Sequence, residues 1–292
     1  MTLTPNKRFR AALVQLRSGR GVDANVQSAE ALIRRAAQSG AAYVQTPENT
    51  AIMEFKPELV IESAKTEEES IALARFRTLA AELGIFLHIG SLAIKLDGPR
   101  VANRSYLIDP EGDVAARYDK LHLFDVDLAG GESYRESHHA KPGATAIVAD
   151  LPFGRLGLSI CYDLRFAALY RALAIAGAEF IAVPAAFTRQ TGEAHWHVLI
   201  RARAIETGTF VLAAAQGGLH ENGRATFGHS LIVSPWGEML AEGGEEPGVI
   251  YADIDLAASA EARARIPALK HGRDFEVALA APAPRAARRE AS

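Results

Sequence analysis

Three residues of this chain carry side chains able to make and break a bond to carbon: Glu48, Lys120 and the only cysteine, Cys161. The thiolate is the competent nucleophile, yet a free thiol with a pKa of about 8.5 is mostly protonated at neutral pH. A carboxylate within hydrogen-bond reach can take that proton and later return it to a leaving amine. A lysine ammonium beside them supplies positive charge where a tetrahedral oxyanion develops, and keeps the carboxylate ionised. Together the trio has the parts of a covalent hydrolase, with the backbone N–H of Tyr162 as a second oxyanion donor. Each residue also has a plainer reading: a small buried hydrophobe for the cysteine, a solvated charge for the lysine, a turn residue for the glutamate after proline. A Cys–His pair is a competing arrangement, since nine histidines are present, but none stands in a familiar cysteine-protease context.

Shared placement distinguishes the trio. Glu48 follows AAYVQTP, Lys120 follows VAARYD and Cys161 follows RLGLSI. Each stands at the C-terminal end of an apolar strand-like run, where a rigid scaffold hands over to a loop.

The elements that must position them alternate between strand-like and helix-like patterns. FRAALVQL, AAYVQTPE, IFLHIGSLAIKL, RVANRSYLID and GDVAARYDK read as strands. Helical spacing predicts helices over Asn25–Ser39 and Ser63–Leu83, ended by Gly40 and Gly84. Past the cysteine, helices are expected over Arg165–Ala176 and from about Glu193 to Thr207. The strands EFIAVPAAF, FVLAAAQGG, GHSLIVSPWGEML and GVIYADID complete the pattern, with turns at Pro235-Trp236-Gly237 and Glu245-Glu246-Pro247-Gly248. No linker or short repeat interrupts this order. A single α/β domain over residues 1–280, helices outside and sheets inside, is the simplest reading. The Ala/Pro/Arg-rich tail, residues 281–292, is expected to be flexible or an arm docked on a neighbouring subunit.

Composition bounds the function class. Of 292 residues, 49% are apolar, enough for a substantial core, and 32 basic against 35 acidic residues give a charge of −3. That balance does not suggest a nucleic-acid or membrane-surface partner. No run approaches the roughly 20 apolar residues of a membrane span, and the N-terminus lacks a signal-peptide pattern. One cysteine cannot form an intramolecular disulfide, which fits a reducing cytosol; a cytoplasmic protein is expected.

TPEN around Glu48, YDKLHLFDVD around Lys120 and SICYDLRF around Cys161 resemble the Glu–Lys–Cys signature of the nitrilase superfamily of carbon–nitrogen hydrolases. The resemblance runs roughly from Arg8 to Phe275, and AHWHVLIRARAIET, VLAAAQ and FGHSLIVSPWGE are most similar to its Nit-type amidase branch. It implies Glu48 as general base, Lys120 as oxyanion-stabilising cation and Cys161 as nucleophile. It also implies a second glutamate between lysine and cysteine, matched in GGESYRESHHAKPG by Glu136, with Glu132 as the fallback. The implied fold is a four-layer α-β-β-α sandwich that pairs into a homodimer or higher homo-oligomer. The implied activity is hydrolysis of the terminal amide of a small ω-amide acid, such as deaminated glutathione, to carboxylate and ammonia through a Cys thioester. α-Ketoglutaramate is the alternative substrate. Cleavage of a nitrile or an N-carbamoyl amino acid, or a catalytically silent subunit on the same fold, remain as other readings.

Around this core, Arg165 can bind a substrate carboxylate bidentately or lock a carboxylate such as Asp163 or Glu136. Phe187 and Thr188, ending EFIAVPAAF, are candidate pocket residues beside Tyr162. His195 and His197 stand two apart on a helix, so their rings point to different faces and are not expected to share a metal. His138 and His139 read as loop residues, and Trp196 as core or dimer interface. No phosphate loop, EF-hand or zinc spacing is present, so no cofactor and no metal are expected.

Overall fold

The computed structural model describes residues 7–54 and 56–279. The first half of the chain builds one sheet and its helical cover. β1 (Arg8–Gln15), α1 (Val22–Gln38), β2 (Tyr43–Gln45), α2 (Pro57–Ser63), α3 (Ile71–Leu83), β3 (Phe86–Lys95), β4 (Val101–Ile108) and β5 (Val114–Asp119) follow in order. β1, β2 and β3 run parallel, while β4 and β5 return antiparallel beyond β3.

A short hairpin, β6 (Asp125–Asp127) and β7 (Ser133–Arg135), leads to the second half. There β8 (Val148–Leu151), β9 (Gly154–Leu158), α4 (Ala167–Ile175), β10 (Phe180–Ala182), α5 (Arg189–Thr207) and β11 (Phe210–Ala213) are followed by a second hairpin, β12 (Gly217–Leu219) and β13 (Ala225–Phe227). β14 (Leu231–Val233), β15 (Met239–Glu242), β16 (Gly248–Asp255) and α6 (Ala257–Arg265) complete the described elements. The second sheet has the order β15-β14-β11-β10-β9-β8. β16 crosses back to pair antiparallel with β1 along its whole length, making the first sheet β16-β1-β2-β3-β4-β5 and tying the two halves into one domain.

The side-chain alternation of β1 explains the layers. Phe9, Ala11 and Leu13 point into the core shared with Leu156, Leu158 and Val211 of the second sheet. Ala12 and Val14 point the other way, onto Ile33 of α1 and Phe76 of α3. α4 covers β9, and α5 covers β11 and β14, giving the α-β-β-α sandwich. Phe9, Tyr43, Phe86 and Phe180, at the starts of four strands, meet in one aromatic cluster with Phe153. Their cluster closes the end of the sandwich opposite Glu48 and Cys161.

Several element boundaries differ from the expectation. The helix expected over Ser63–Leu83 forms only over Ile71–Leu83: α2 ends at Ser63, and Ser70 caps α3 by accepting from the Leu73 N–H. Between α2 and α3 the chain makes a bridge at Lys65, whose carbonyl accepts from the Lys95 N–H, and then turns over residues 67–69. α1 starts before Asn25, whose buried amide instead stitches the Gly19 and Ala51 loops. α5 starts at Arg189, capped by Thr188, and runs through Gly192, where a Cβ would lie 2.3 Å from Phe227. α4 begins only at Ala167, because Cys161–Arg165 forms a separate 3₁₀ turn. EFIAVPAAF is a regular strand only over Phe180–Ala182; Pro184 has no N–H, although Val183 and Ala185 still donate to Leu212 and Ala214. The turn at Pro235-Trp236-Gly237 forms as expected, with the Gly237 N–H donating to Ser234. The expectation for the tail, residues 281–292, lies outside the described residues. Among the described residues no helix is long and apolar enough to cross a membrane.

Candidate active site

Strand ends bring the chemistry together. Glu48 lies just beyond β2 and Lys120 directly after β5, both on the first sheet, whereas Cys161 follows β9 on the second. The loop carrying Glu48 is pinned from below and from the side. At Gly90 of β3 a Cβ would meet the Thr46 carbonyl at 2.3 Å, so only glycine allows that approach. Gln216 donates to the backbone carbonyls of Glu48 and Asn49.

The cysteine sits on a strained elbow. Its φ of 49° is left-handed, a conformation that a non-glycine residue holds only where its surroundings enforce it. Buried Asp163 supplies the enforcement: Oδ2 accepts from the Ile160 N–H and the Tyr118 hydroxyl. Its Oδ1 takes the His122 N–H at 3.0 Å and lies 2.6 Å from the His122 ring. The Cys161 N–H itself donates to the Pro184 carbonyl at 2.9 Å. The next N–H along the elbow belongs to Tyr162.

Glu48 is the hub of the site. Its Oε1 accepts from Lys120 Nζ at 2.8 Å and Asn103 Nδ2 at 2.9 Å, and its Oε2 accepts from the Ala186 N–H at 3.0 Å. The Cys161 thiol lies beside the same carboxylate, near enough that each shifts the other's pKa. Glu136 mirrors it, accepting from Lys120 Nζ and the Phe124 N–H through Oε2 and from Asn103 Nδ2 through Oε1. Of the two glutamates considered for this position, Glu136 is the one brought to Lys120. Glu132 is exposed and accepts from the Tyr134 hydroxyl.

Burial and charge fix the resting protonation. Burial works to raise the Glu48 pKa, but the charge and hydrogen bond of Lys120, helped by the adjacent thiol, hold it below the usual carboxylate value. Burial opposes the charge on Lys120 too, and the carboxylates of Glu136 and Glu48 outweigh it, raising the lysine well above its ordinary value. The Cys161 thiol is pushed well up by burial and by the Glu48 charge, against a smaller opposing effect of Lys120. The site therefore rests as thiol, carboxylate and ammonium, an arrangement in which the carboxylate can take the thiol's proton.

The trio forms the floor of a cleft whose walls include Tyr162, Phe187, Thr188, Tyr134 and Arg224. Arg165 is not among the lining residues: its guanidinium lies over the rings of Tyr162 and Phe187 and within 3.3 Å of His195 Nδ1. Nor does it lock Asp163 or Glu136, which are held by the partners described above. His139 faces the cleft, its pKa lowered by burial. Trp196 is core, donating from Nε1 to the His229 carbonyl. His195 and His197 do diverge. His197 instead meets His229 around Glu242 Oε1, each ring nitrogen 2.8 Å from it, the one trio of metal-ligand type among the described residues. None of these three lines the cleft.

Sequence reasoning missed Asn103 and Arg224. Asn103 is a short polar side chain in the middle of RVANRSYLID, and that break in an apolar run was the available signal. Its cross-strand neighbour is Lys120, whose N–H donates to the Asn103 carbonyl. Arg224 lies in the loop between β12 and β13, and nothing in the sequence ties it to the trio.

The sequence pattern of the carbon-nitrogen hydrolase family matches residues 10–264, most of the chain. The chain is a carbon–nitrogen hydrolase of the nitrilase superfamily. This hydrolase is 39% identical over 270 residues to the deaminated glutathione amidase of Yersinia enterocolitica, covering 91% of this chain and 94% of that one. It is 37% identical over 268 residues to human omega-amidase NIT2, covering 91% and 95% respectively. Its fold superimposes on the crystal structure of Saccharomyces cerevisiae Nit3, a member of branch 10 of the nitrilase superfamily, with a TM-score of 0.81 at 28% identity, covering 89% of this chain and 94% of that one. The hydrolase is thus an amidase-type enzyme acting on carbon–nitrogen bonds.

Proposed function

We propose that this hydrolase cleaves a small amide whose acyl group ends in a carboxylate, through a thioester on Cys161. The Cys161 sulfur attacks the amide carbon as its proton passes to Glu48. Lys120 Nζ and the Tyr162 N–H hold the oxyanion, and Glu136 keeps the lysine in place. Glu48 then gives the proton to the departing nitrogen, and the C–N bond breaks to leave the thioester. Water, deprotonated by Glu48, attacks the thioester carbon; the acid leaves and the proton returns to the sulfur. One observation carries this reading: the buried carboxylate of Glu48 accepts from the Lys120 ammonium and lies beside the Cys161 thiol at the floor of the cleft.

The named relatives support deaminated glutathione and an ω-amide as substrates, and α-ketoglutaramate is the candidate ω-amide. Both present a 2-oxoglutaryl group. In deaminated glutathione its amide partner is cysteinylglycine, so the leaving group there is a dipeptide amine rather than the ammonia first expected. Incubating the enzyme with each, and with a simple nitrile and an N-carbamoyl amino acid, tests the reading. Release of 2-oxoglutarate from the first two is expected, fastest from deaminated glutathione. Turnover of only the nitrile or the carbamoyl compound would overturn it.

A homodimer in the cytoplasm completes the proposal. Val198 and Ile205 on α5 and Ile175 on α4 are large apolar side chains open to solvent in the single chain, which supports pairing through the α4–α5 layer. Light scattering on the purified protein reads the state directly. A reducing compartment suits an enzyme whose single cysteine must stay free.

A further inference from the structure

We propose that Arg224 is the carboxylate-binding residue of the cleft, selecting amides whose acyl chain ends in an anion. The inference rests on the amidase reading above and names the group that recognises the acyl end.

An acidic substrate faces an electrostatic problem here. Glu48, Glu136 and Lys120 together carry two negative charges and one positive, so the reacting centre repels a second anion unless a further cation compensates. The cleft lining holds few candidates. Lys120 is fixed between its two carboxylates. Arg135 turns outward, spending its guanidinium on both oxygens of Asp127 and on the carbonyls of Val126 and Tyr134. His139 is kept neutral by burial.

Arg224 is different. Among the described residues its guanidinium forms no ion pair. Its only hydrogen bond is from Nη2 to the Ala186 carbonyl, and its buried Nε has no partner. A buried donor without an acceptor is a cost that a native protein rarely carries for nothing, and a carboxylate removes it. The position is held rigidly: the Arg224 N–H donates to Asn222 Oδ1, the guanidinium lies over the Tyr134 ring at 5.1 Å, and Thr226 pairs with Thr188 of the cleft wall. Arg224 is also close to the chemistry. The Ala186 residue that accepts from Arg224 donates its N–H to Glu48, and the guanidinium charge helps to lower the Glu48 pKa.

The test compares α-ketoglutaramate with pentanamide, an uncharged amide of the same chain length, in wild type and Arg224→Met. The ratio of kcat/KM for the acid over the neutral amide is expected to fall about 10–150-fold in the variant, the size of a charge-assisted arginine contact. Affinity for 2-oxoglutarate, read by calorimetry without turnover, is expected to fall by a similar factor. Equal losses on both amides would make Arg224 a support for Ala186 and Glu48 and would overturn the proposal, as would an unchanged ratio. Should the methionine variant not fold, Arg224→Lys carries the same test: it keeps the charge but not the fork, so a smaller loss in the same direction is expected, and no selective loss overturns the proposal. A wild type that cleaves neither of these amides nor deaminated glutathione refutes the proposed substrate class alone, because the 2-oxoglutarate titration still decides for or against Arg224.

Discussion

The ammonium nitrogen of Lys120 lies 2.8 Å from Oε1 of Glu48, with both side chains almost wholly withdrawn from solvent. A buried ion pair of this kind survives only when its remaining donors and acceptors are satisfied. Asn103, Ala186 and Glu136 provide that satisfaction. The pair leaves Glu48 ionised beside a thiol that is not, which is the condition for a base to act on its neighbour.

Cys161→Ala or Cys161→Ser is expected to abolish turnover while the fold persists, since no other thiol exists in the chain. Loss of a covalent nucleophile removes about a thousandfold or more in rate. Product release by the alanine variant above that residual level would exclude the thioester route.

Glu48→Gln keeps the shape of the side chain but cannot accept the thiol proton, so acylation is expected to stop. Intact-protein mass spectrometry after mixing with substrate follows it. An acyl-enzyme accumulating at the wild-type rate would remove Glu48 from the role of base.

Lys120→Met is expected to lower kcat by about 10²–10³ with less effect on KM, as for a lost oxyanion donor. The substitution also removes the cation that holds Glu48 down, so the acid limb of the kcat/KM profile should move to higher pH. In wild type that limb should lie below the ordinary carboxylate range. No rise centred near an ordinary thiol pKa of about 8.5 is expected, because the proposed reactive form is the thiol beside an ionised carboxylate. A wild-type profile climbing through that value would indicate that the free thiolate is the reacting form.

Two histidines make folding sensitive to mild acid. His88 is buried between the Tyr43 and Ser105 hydroxyls with its pKa pushed down to about 3, and His220 lies between Ser18 and Thr226 with its pKa at about 4. Above about pH 6.5 both states are neutral and neither residue costs stability. As pH falls below that value the unfolded chain takes up protons that the folded one refuses. Each histidine then subtracts up to about 1.4 kcal/mol per pH unit until its folded pKa is reached. His88→Gln should therefore flatten the fall of Tm between pH 6.5 and 4, measured by calorimetry; an equally steep fall would show that the sensitivity lies elsewhere.

The sequence by itself placed Glu48, Lys120 and Cys161 at the ends of apolar runs, because strand ends are legible from local pattern; their proposed roles as base, cation and nucleophile come from the motifs around them. It also determined the helix ends at Gly40 and Gly84, where a left-handed residue stops a helix whatever surrounds it. Pairing across the molecule was another matter. That Glu136 rather than Glu132 reaches Lys120 depends on how the hairpin from Asp125 to Arg135 folds back, a register set by backbone bonds between the two strands. That Asp163 is held by Tyr118 and His122, and not by Arg165, depends on two sheets facing each other across a shared core. Arg165 is four residues from the nucleophile in sequence and outside its cleft, whereas Arg224 is distant in sequence and in its wall. Local pattern records which atoms a residue carries and where an element stops. Only the packing of the sheets and the hairpins that cap them decides which side chains share a buried space.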